Sequence, residues 1–137
     1  MTRIDFAFVH SLLEVSMPLT LLLRCNDLDS TRQYYHDVLG FTVIESAQST
    51  LTVTREDCRI TFTQQDLWGN SIGCSGTIYC AIKQVDRYYD FVKGKADIAW
   101  PLQDMPYGSR EFGVRDCNGY YLAFAQLAAV GQEDVSP

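Results

Sequence analysis

With 137 residues, 15.5 kDa, 47% apolar and 20% charged side chains, the chain has the size of one domain and the composition of an ordinary globular protein. A net charge of −6 and an isoelectric point near 4.7 exclude the basic footprint that nucleic-acid phosphates require, and favour a neutral or cationic small molecule instead. No apolar run reaches the ~18 residues of a membrane helix, so no membrane partner is expected.

Residues 1–17 read as an arm rich in apolar side chains (Ile4, Phe6, Phe8, Val9, Leu12, Leu13, Val15), to be buried against this subunit or a second one. Asp5 and Glu14 interrupt what a secretory leader would keep apolar. Cysteines 25, 58, 74, 80 and 117 form no CxxC pair, and their odd number fits reduced thiols in a cytoplasm. Leu19 to Gly40 then states a strand, a polar corner and a helix. Leu21, Leu23 and Cys25 alternate with Thr20, Leu22 and Arg24, the period of a strand with two different faces. Asn26, Asp27 and Asp29 supply cap-type side chains, and Thr31, Tyr34, Tyr35, Val38 and Leu39 recur at helical spacing before Gly40. Three strand-like runs follow, over 41–47, 50–56 and 59–65, joined by short polar corners. Residues 66–76 hold three glycines and no period, and mark a linker or a ligand-facing loop whose Trp68 is a lid or a packed anchor.

The pattern restarts at Thr77, 57 residues after Thr20. Ile78, Cys80 and Ile82 alternate with Thr77, Tyr79 and Ala81, and Val85, Tyr88, Tyr89 and Val92 repeat the helix. Runs over 97–102, 109–116 and 120–126 supply the remaining strands, with the DCNG turn of Asp116–Gly119 as a hairpin. The expectation is a single α+β domain of two tandem βαβββ modules, about 18–65 and 77–126, with a polar tail over 127–137. Such modules leave sheet edges and an apolar arm that call for a homodimer.

NDLDSTRQYYHDVLGF resembles the opening signature of the vicinal oxygen chelate superfamily, which holds glyoxalases, extradiol dioxygenases and bleomycin-resistance proteins. YGSREFGVRDCNGYYLAF is similar to its closing signature, with Cys117 in place of a proline. The resemblance, over roughly 18–126, implies a curved mixed sheet around a cleft, and dimers. It also implies metal-ligand positions, which fall on Thr20, Thr61, Thr77 and Ala123. None is a usual ligand, because divalent metals of this class take imidazole and carboxylate. The chain therefore reads as needing no metal and no other cofactor.

By strand parity Arg24, Arg59, Tyr79, Glu111 and Tyr121 face the cleft, and Trp68 and Trp100 border its mouth. Hydroxyls, guanidinium groups and one carboxylate line it, with no His, Cys or Lys paired to a nucleophile. Glu111 stands equally for a pair with Arg115 or for a ligand contact. The expected function is a metal-free small-molecule-binding protein resembling the drug-sequestering bleomycin-resistance proteins. The alternative is a metal-dependent lyase, isomerase or dioxygenase of the same superfamily with non-standard ligands.

Overall fold

A computed structural model describes residues 19–46 and 49–127; the arm of 1–17 and the tail beyond Leu127 lie outside the described residues. The first module runs β1 (Leu21–Arg24), α1 (Leu28–Gln33), β2 (Thr42–Ser46), β3 (Thr50–Arg55) and β4 (Cys58–Thr63). The second runs β5 (Thr77–Ala81), α2 (Val85–Val92), β6 (Asp97–Asp104), β7 (Ser109–Arg115) and β8 (Tyr121–Leu127). Each module makes one four-stranded mixed sheet, ordered β1-β4-β3-β2 and β5-β8-β7-β6, with its first strand parallel to its last. This is the expected tandem βαβββ architecture, its eight strands divided between two sheets.

The first helix starts where Asp27 accepts from Ser30 N at 2.8 Å, so one of the three candidate caps does the capping. After Gln33 it widens into a π-helical turn over Tyr34–Val38, and Gly40, at φ +70°, ends it. The spacing that marked a helix still buries one face, because Thr31, Tyr35 and Leu39 all point inward.

The two modules share one core. Tyr35 meets Phe41 and Phe62 with ring centroids 5.2 Å apart, Phe41 meets Phe124 at 6.1 Å, and Phe124 meets Tyr88 at 4.9 Å and Phe112 at 5.4 Å. Buried phenols also need hydrogen-bond partners, and each helix finds one in the other module. Tyr35 Oη donates to Asp116 Oδ2 at 2.6 Å, and Tyr88 Oη donates to the Leu39 carbonyl at 2.6 Å. The tyrosine pairs of both helices thus serve helix-to-sheet packing.

Cys58 at the start of β4 and Cys80 in β5 meet across the module boundary with Cα atoms 5.0 Å apart, within the span that a disulfide bridges. Cys25 is buried, and Cys74 and Cys117 are exposed. Cys117 is nonetheless no reactive thiol: burial of its sulfur, with the neighbouring Asp116 carboxylate, pushes it up to about 11. After exposure to an oxidant the pair is expected to be joined, so that alkylation of the unfolded, unreduced protein labels Cys25, Cys74 and Cys117 only. Closing a loop of sequence separation 22 should make reduction cost roughly 3 kcal/mol of stability, readable as a lower urea midpoint. Five labelled cysteines before reduction would overturn the bond.

A cleft face floored by small residues

Cross-strand partners lie on the same face of a sheet, so the ladders assign the cleft face without reference to the loops. In the second module the rows are Thr77, Tyr121 and Arg115; then Tyr79, Ala123, Gly113 and Trp100; then Ala81, Ala125, Glu111 and Gln103. Phe112 and Phe124, the intervening residues, point into the core. Three small residues, Gly113, Ala123 and Ala125, therefore form a floor, and large side chains stand around and over it.

Trp100 lies flat on that floor. A Cβ built on Gly113 would sit 2.3 to 2.5 Å from three atoms of the indole, so only glycine admits the ring there. The indole nitrogen is buried with no acceptor among the described residues. Tyr79 is 58% exposed, as is Tyr107, and their hydroxyls approach to 3.4 Å. Tyr107 Oη donates to Glu111 Oε1 at 2.9 Å, and Ser109 Oγ donates to the same oxygen at 3.1 Å. The bond with Tyr79, then desolvation and the bond to Glu111, raise the Tyr107 phenol well above its usual range, so it serves as a neutral donor. Glu111 is fully buried and takes its bonds from these two hydroxyls, with none from Arg115.

The structure thus brings Tyr79, Trp100, Glu111 and Tyr121 onto one sheet face and adds Tyr107 and Ser109, which strand parity did not single out. The other three expected residues lie apart from that cluster. Arg24 has the parity of the first module's cleft face, but Nη1 donates to the Asn70 carbonyl at 2.7 Å and lies 3.5 Å from Asp66 Oδ2, tying down the glycine loop. Asp66 in turn accepts from Trp68 N and Gly69 N, which shapes the loop around them. Trp68, half exposed, borders a cavity of about 180 Å³ with Leu22, Arg24, Ile72 and Tyr120. Arg59 is exposed on β4, opposite Thr54. On the same face the first module carries a hydroxyl ladder, with Thr61 and Thr52 at 2.9 Å and Thr52 donating to Ser46 at 3.3 Å.

A larger groove, about 940 Å³, lies between the β3–β4 turn and the start of α2, lined among others by Arg55, Glu56, Lys83, Arg87 and Phe91. It is an open notch rimmed by charges of both signs; it reaches the cleft face only at Ala81 and Ala125, and none of Tyr79, Trp100, Tyr107, Glu111 or Tyr121 lines it. Size alone does not make it the site; converging aromatic and buried polar groups distinguish the cleft face.

The Glyoxalase/Bleomycin resistance protein/Dioxygenase superfamily profile matches residues 18–124, most of the chain. The chain belongs to that superfamily. Among solved structures, TioX from Micromonospora sp. ML1 aligns over 82% of this chain and 99% of its own, at 20% identity and a TM-score of 0.67. A superfamily member from Sphaerobacter thermophilus DSM 20745 covers 82% and 98% at 15% identity, with a TM-score of 0.66. One from Nocardioides covers 89% and 91% at 15% identity and 0.63. At such identities these similarities concern the fold. A comparison with curated proteins finds no match.

Many superfamily members hold a divalent metal, and the residues at the expected positions of this glyoxalase-like chain do not fit one. Ala123 is buried and has no donor atom; the Thr61 hydroxyl is engaged with Thr52; Thr20 and Thr77 are exposed alcohols at the starts of strands. Among the described residues no three His, Cys, Asp or Glu side chains converge. His36 is exposed on the helix beside Asp37, and His10 lies outside the described residues. Hard divalent ions need several carboxylate or imidazole donors, which this face lacks. Among the described residues no helix is long and apolar enough to cross a membrane.

Proposed function

We propose that this superfamily member is a metal-independent small-molecule-binding protein, of the drug-sequestering kind found among bleomycin-resistance relatives, with its ligand on the cleft face of the second module. One observation carries the reading: exposed Tyr79, Tyr107 and Tyr121 stand around a floor of Gly113 and Ala123 on which Trp100 lies, where the superfamily would place metal donors. A flat floor between aromatic faces suits a planar organic ligand, and each aromatic contact adds ~0.5 to 1.5 kcal/mol beyond burial.

The homodimer belongs to the same proposal, since exposed Leu22 and Ile44 on the first module's cleft face are an apolar surface for a second copy to cover. A sedimentation mass of one chain at micromolar concentration contradicts it. A cytosolic location would keep Cys58 and Cys80 as contacting thiols, whereas an oxidising compartment would hold them bonded.

The test is a small-molecule screen by thermal shift, because a ligand that binds only the folded state raises the melting temperature. For any hit, Tyr79→Ala and Tyr121→Ala should each weaken binding several-fold without changing the unfolding midpoint of the free protein by more than a degree or two. Tyr34→Ala should lower the midpoint and leave affinity intact. If both cleft variants bind as the unmodified protein does, the ligand sits elsewhere.

A further inference from the structure

The groove of about 940 Å³ between the β3–β4 turn and the start of α2 lies where the described chain stops. Leu127, the last residue of β8, lines it and is 72% exposed; Phe91 of α2 lines it too and is 47% exposed. Two large apolar side chains open to water in one notch mark a surface that takes a partner. The charges of the notch say of which kind. Arg55, Lys83 and Arg87 outnumber Glu56 and Asp57 along it, although the whole chain carries −6, so the notch is a positive place on an acidic protein. Arg55 lies over the Tyr88 ring, 4.2 Å from its centroid, and donates to the Gly40 carbonyl. The other two cations are free to meet an anion: among the described residues the Lys83 ammonium bonds to none, and Arg87 bonds only to Gln84 Oε1, at 3.2 Å.

The segment that leaves Leu127 has the matching chemistry. Residues 128–137, AAVGQEDVSP, lie past the end of the superfamily match at 124 and contain Glu133 and Asp134 with no Lys or Arg. Ala128, Ala129 and Val130 come first, next to the exposed apolar pair; Gly131 then allows the chain to reverse, and the two carboxylates follow. Ten residues reach up to ~33 Å when extended, ample for a notch of this volume. The parallel pairing of β5 with β8 continues to Ile82 N, which donates to the Ala125 carbonyl at 2.9 Å, so Lys83 stands beside the point where the tail departs. Leu127 also borders a cavity of about 350 Å³ on its other side, but there Asp86 and Asp104 already hold Arg110, at 2.8 and 3.1 Å, and repel an acidic segment.

We propose that residues 128–137 fold back into the groove between the β3–β4 turn and α2, with residues 128–130 covering Leu127 and Phe91 and with Glu133 and Asp134 paired to Lys83 and Arg87. The groove meets the cleft face at Ala81 and Ala125, so the seated tail walls that end of the cleft. This does not depend on the ligand-binding reading above.

The chain has three lysines, Lys83, Lys93 and Lys95, which makes zero-length carbodiimide coupling of the full chain a direct test. An equal mixture of unlabelled and nitrogen-15-labelled protein is coupled and mapped by mass spectrometry. Glu133 or Asp134 should be joined to Lys83 within one chain at least fivefold more often than to Lys93 or Lys95, and the yield should fall several-fold in about 0.5 M NaCl, which screens exposed pairs. An independent measurement avoids the reagent: Glu133→Lys together with Asp134→Lys should shift the amide resonances of residues 83–91 and leave those of Trp68 and Asn70 in place.

Coupling spread evenly over the three lysines overturns the proposal. Coupling between chains of different isotope gives the notch to a second copy, and coupling of Lys83 to Asp5 or Glu14 in place of the tail gives it to the N-terminal arm; either result also overturns it. Where no tail coupling forms at all, the charge reversal decides, and resonances of residues 83–91 that stay where they were refute the seat.

Discussion

Gly113→Ala is expected to expel Trp100 from the cleft face. The added methyl would lie 2.3 to 2.5 Å from the indole, well inside contact distance, and Trp100 and Gly113 are directly opposed across β6 and β7. The ring must rotate toward solvent. Relief by rotation sacrifices the packing of a large aromatic side chain, and overpacking of this kind costs about 1 to 3 kcal/mol. Two readouts separate the effect from general destabilisation. The chain has two tryptophans, and in a Trp68→Phe background the emission of Trp100 should shift to longer wavelength in the folded protein. Any cleft ligand should also lose most of its affinity, because the floor and one wall change together. An unshifted spectrum with a normal melting temperature would mean that the indole does not lie on Gly113.

Asp116→Ala should be the most destabilising single change, at about 3 to 5 kcal/mol, out of a total of only 5 to 15 for a typical domain. Asp116 accepts from Tyr35 Oη at 2.6 Å through Oδ2, and from Asn118 N and Tyr120 N at 2.8 Å through Oδ1. Truncation leaves three donors without their acceptor, among them the hydroxyl of a fully buried tyrosine at the join of the two modules. Asp116→Asn should lose less, since its Oδ1 still meets both backbone groups while its amide can donate to the phenol.

The pH dependence has a definite sign. Burial raises the Asp116 carboxyl above its ordinary value, with the bonds from Tyr35 and the backbone pulling only partly the other way. A carboxyl whose folded pKa is raised contributes stability that is fully present below its unfolded pKa, near 3.9, and is lost as pH rises through the folded value. The difference in unfolding free energy between the native protein and Asp116→Asn should therefore move against the native protein as pH rises from about 4. A difference that is constant over this range would show that burial does not shift the group.

Much of the architecture was legible in the sequence because a local period encodes it. Side chains alternate every residue in a strand and return about every 3.6 residues in a helix, so burying Leu51, Val53, Ile60 and Phe62 on one side assigns Thr52, Thr54, Arg59 and Thr61 to the other. That is why Tyr79, Glu111 and Tyr121 could be placed on the cleft face, and why Thr20, Thr61, Thr77 and Ala123 could be read as poor metal ligands. The repeat of the helix and first strand at 57 residues was legible for the same reason, as was the left-handed close of the helix at Gly40.

Parity ends at a turn, and there only the tertiary structure decides. Tyr107 lies in the corner before β7, and its reach to Glu111 depends on how that corner folds back over the sheet. Gly113 had the right parity but no side chain to attract notice; what matters there is the space it leaves for Trp100, a residue of another strand. Arg24 faces the cleft by parity, yet a long guanidinium side chain goes where acceptors are, and the loop supplied Asn70 and Asp66. The Cys58–Cys80 pairing and the Tyr35–Asp116 bond join residues 22 and 81 positions apart. Such contacts are set by the docking of the two modules, which no local period in the chain records.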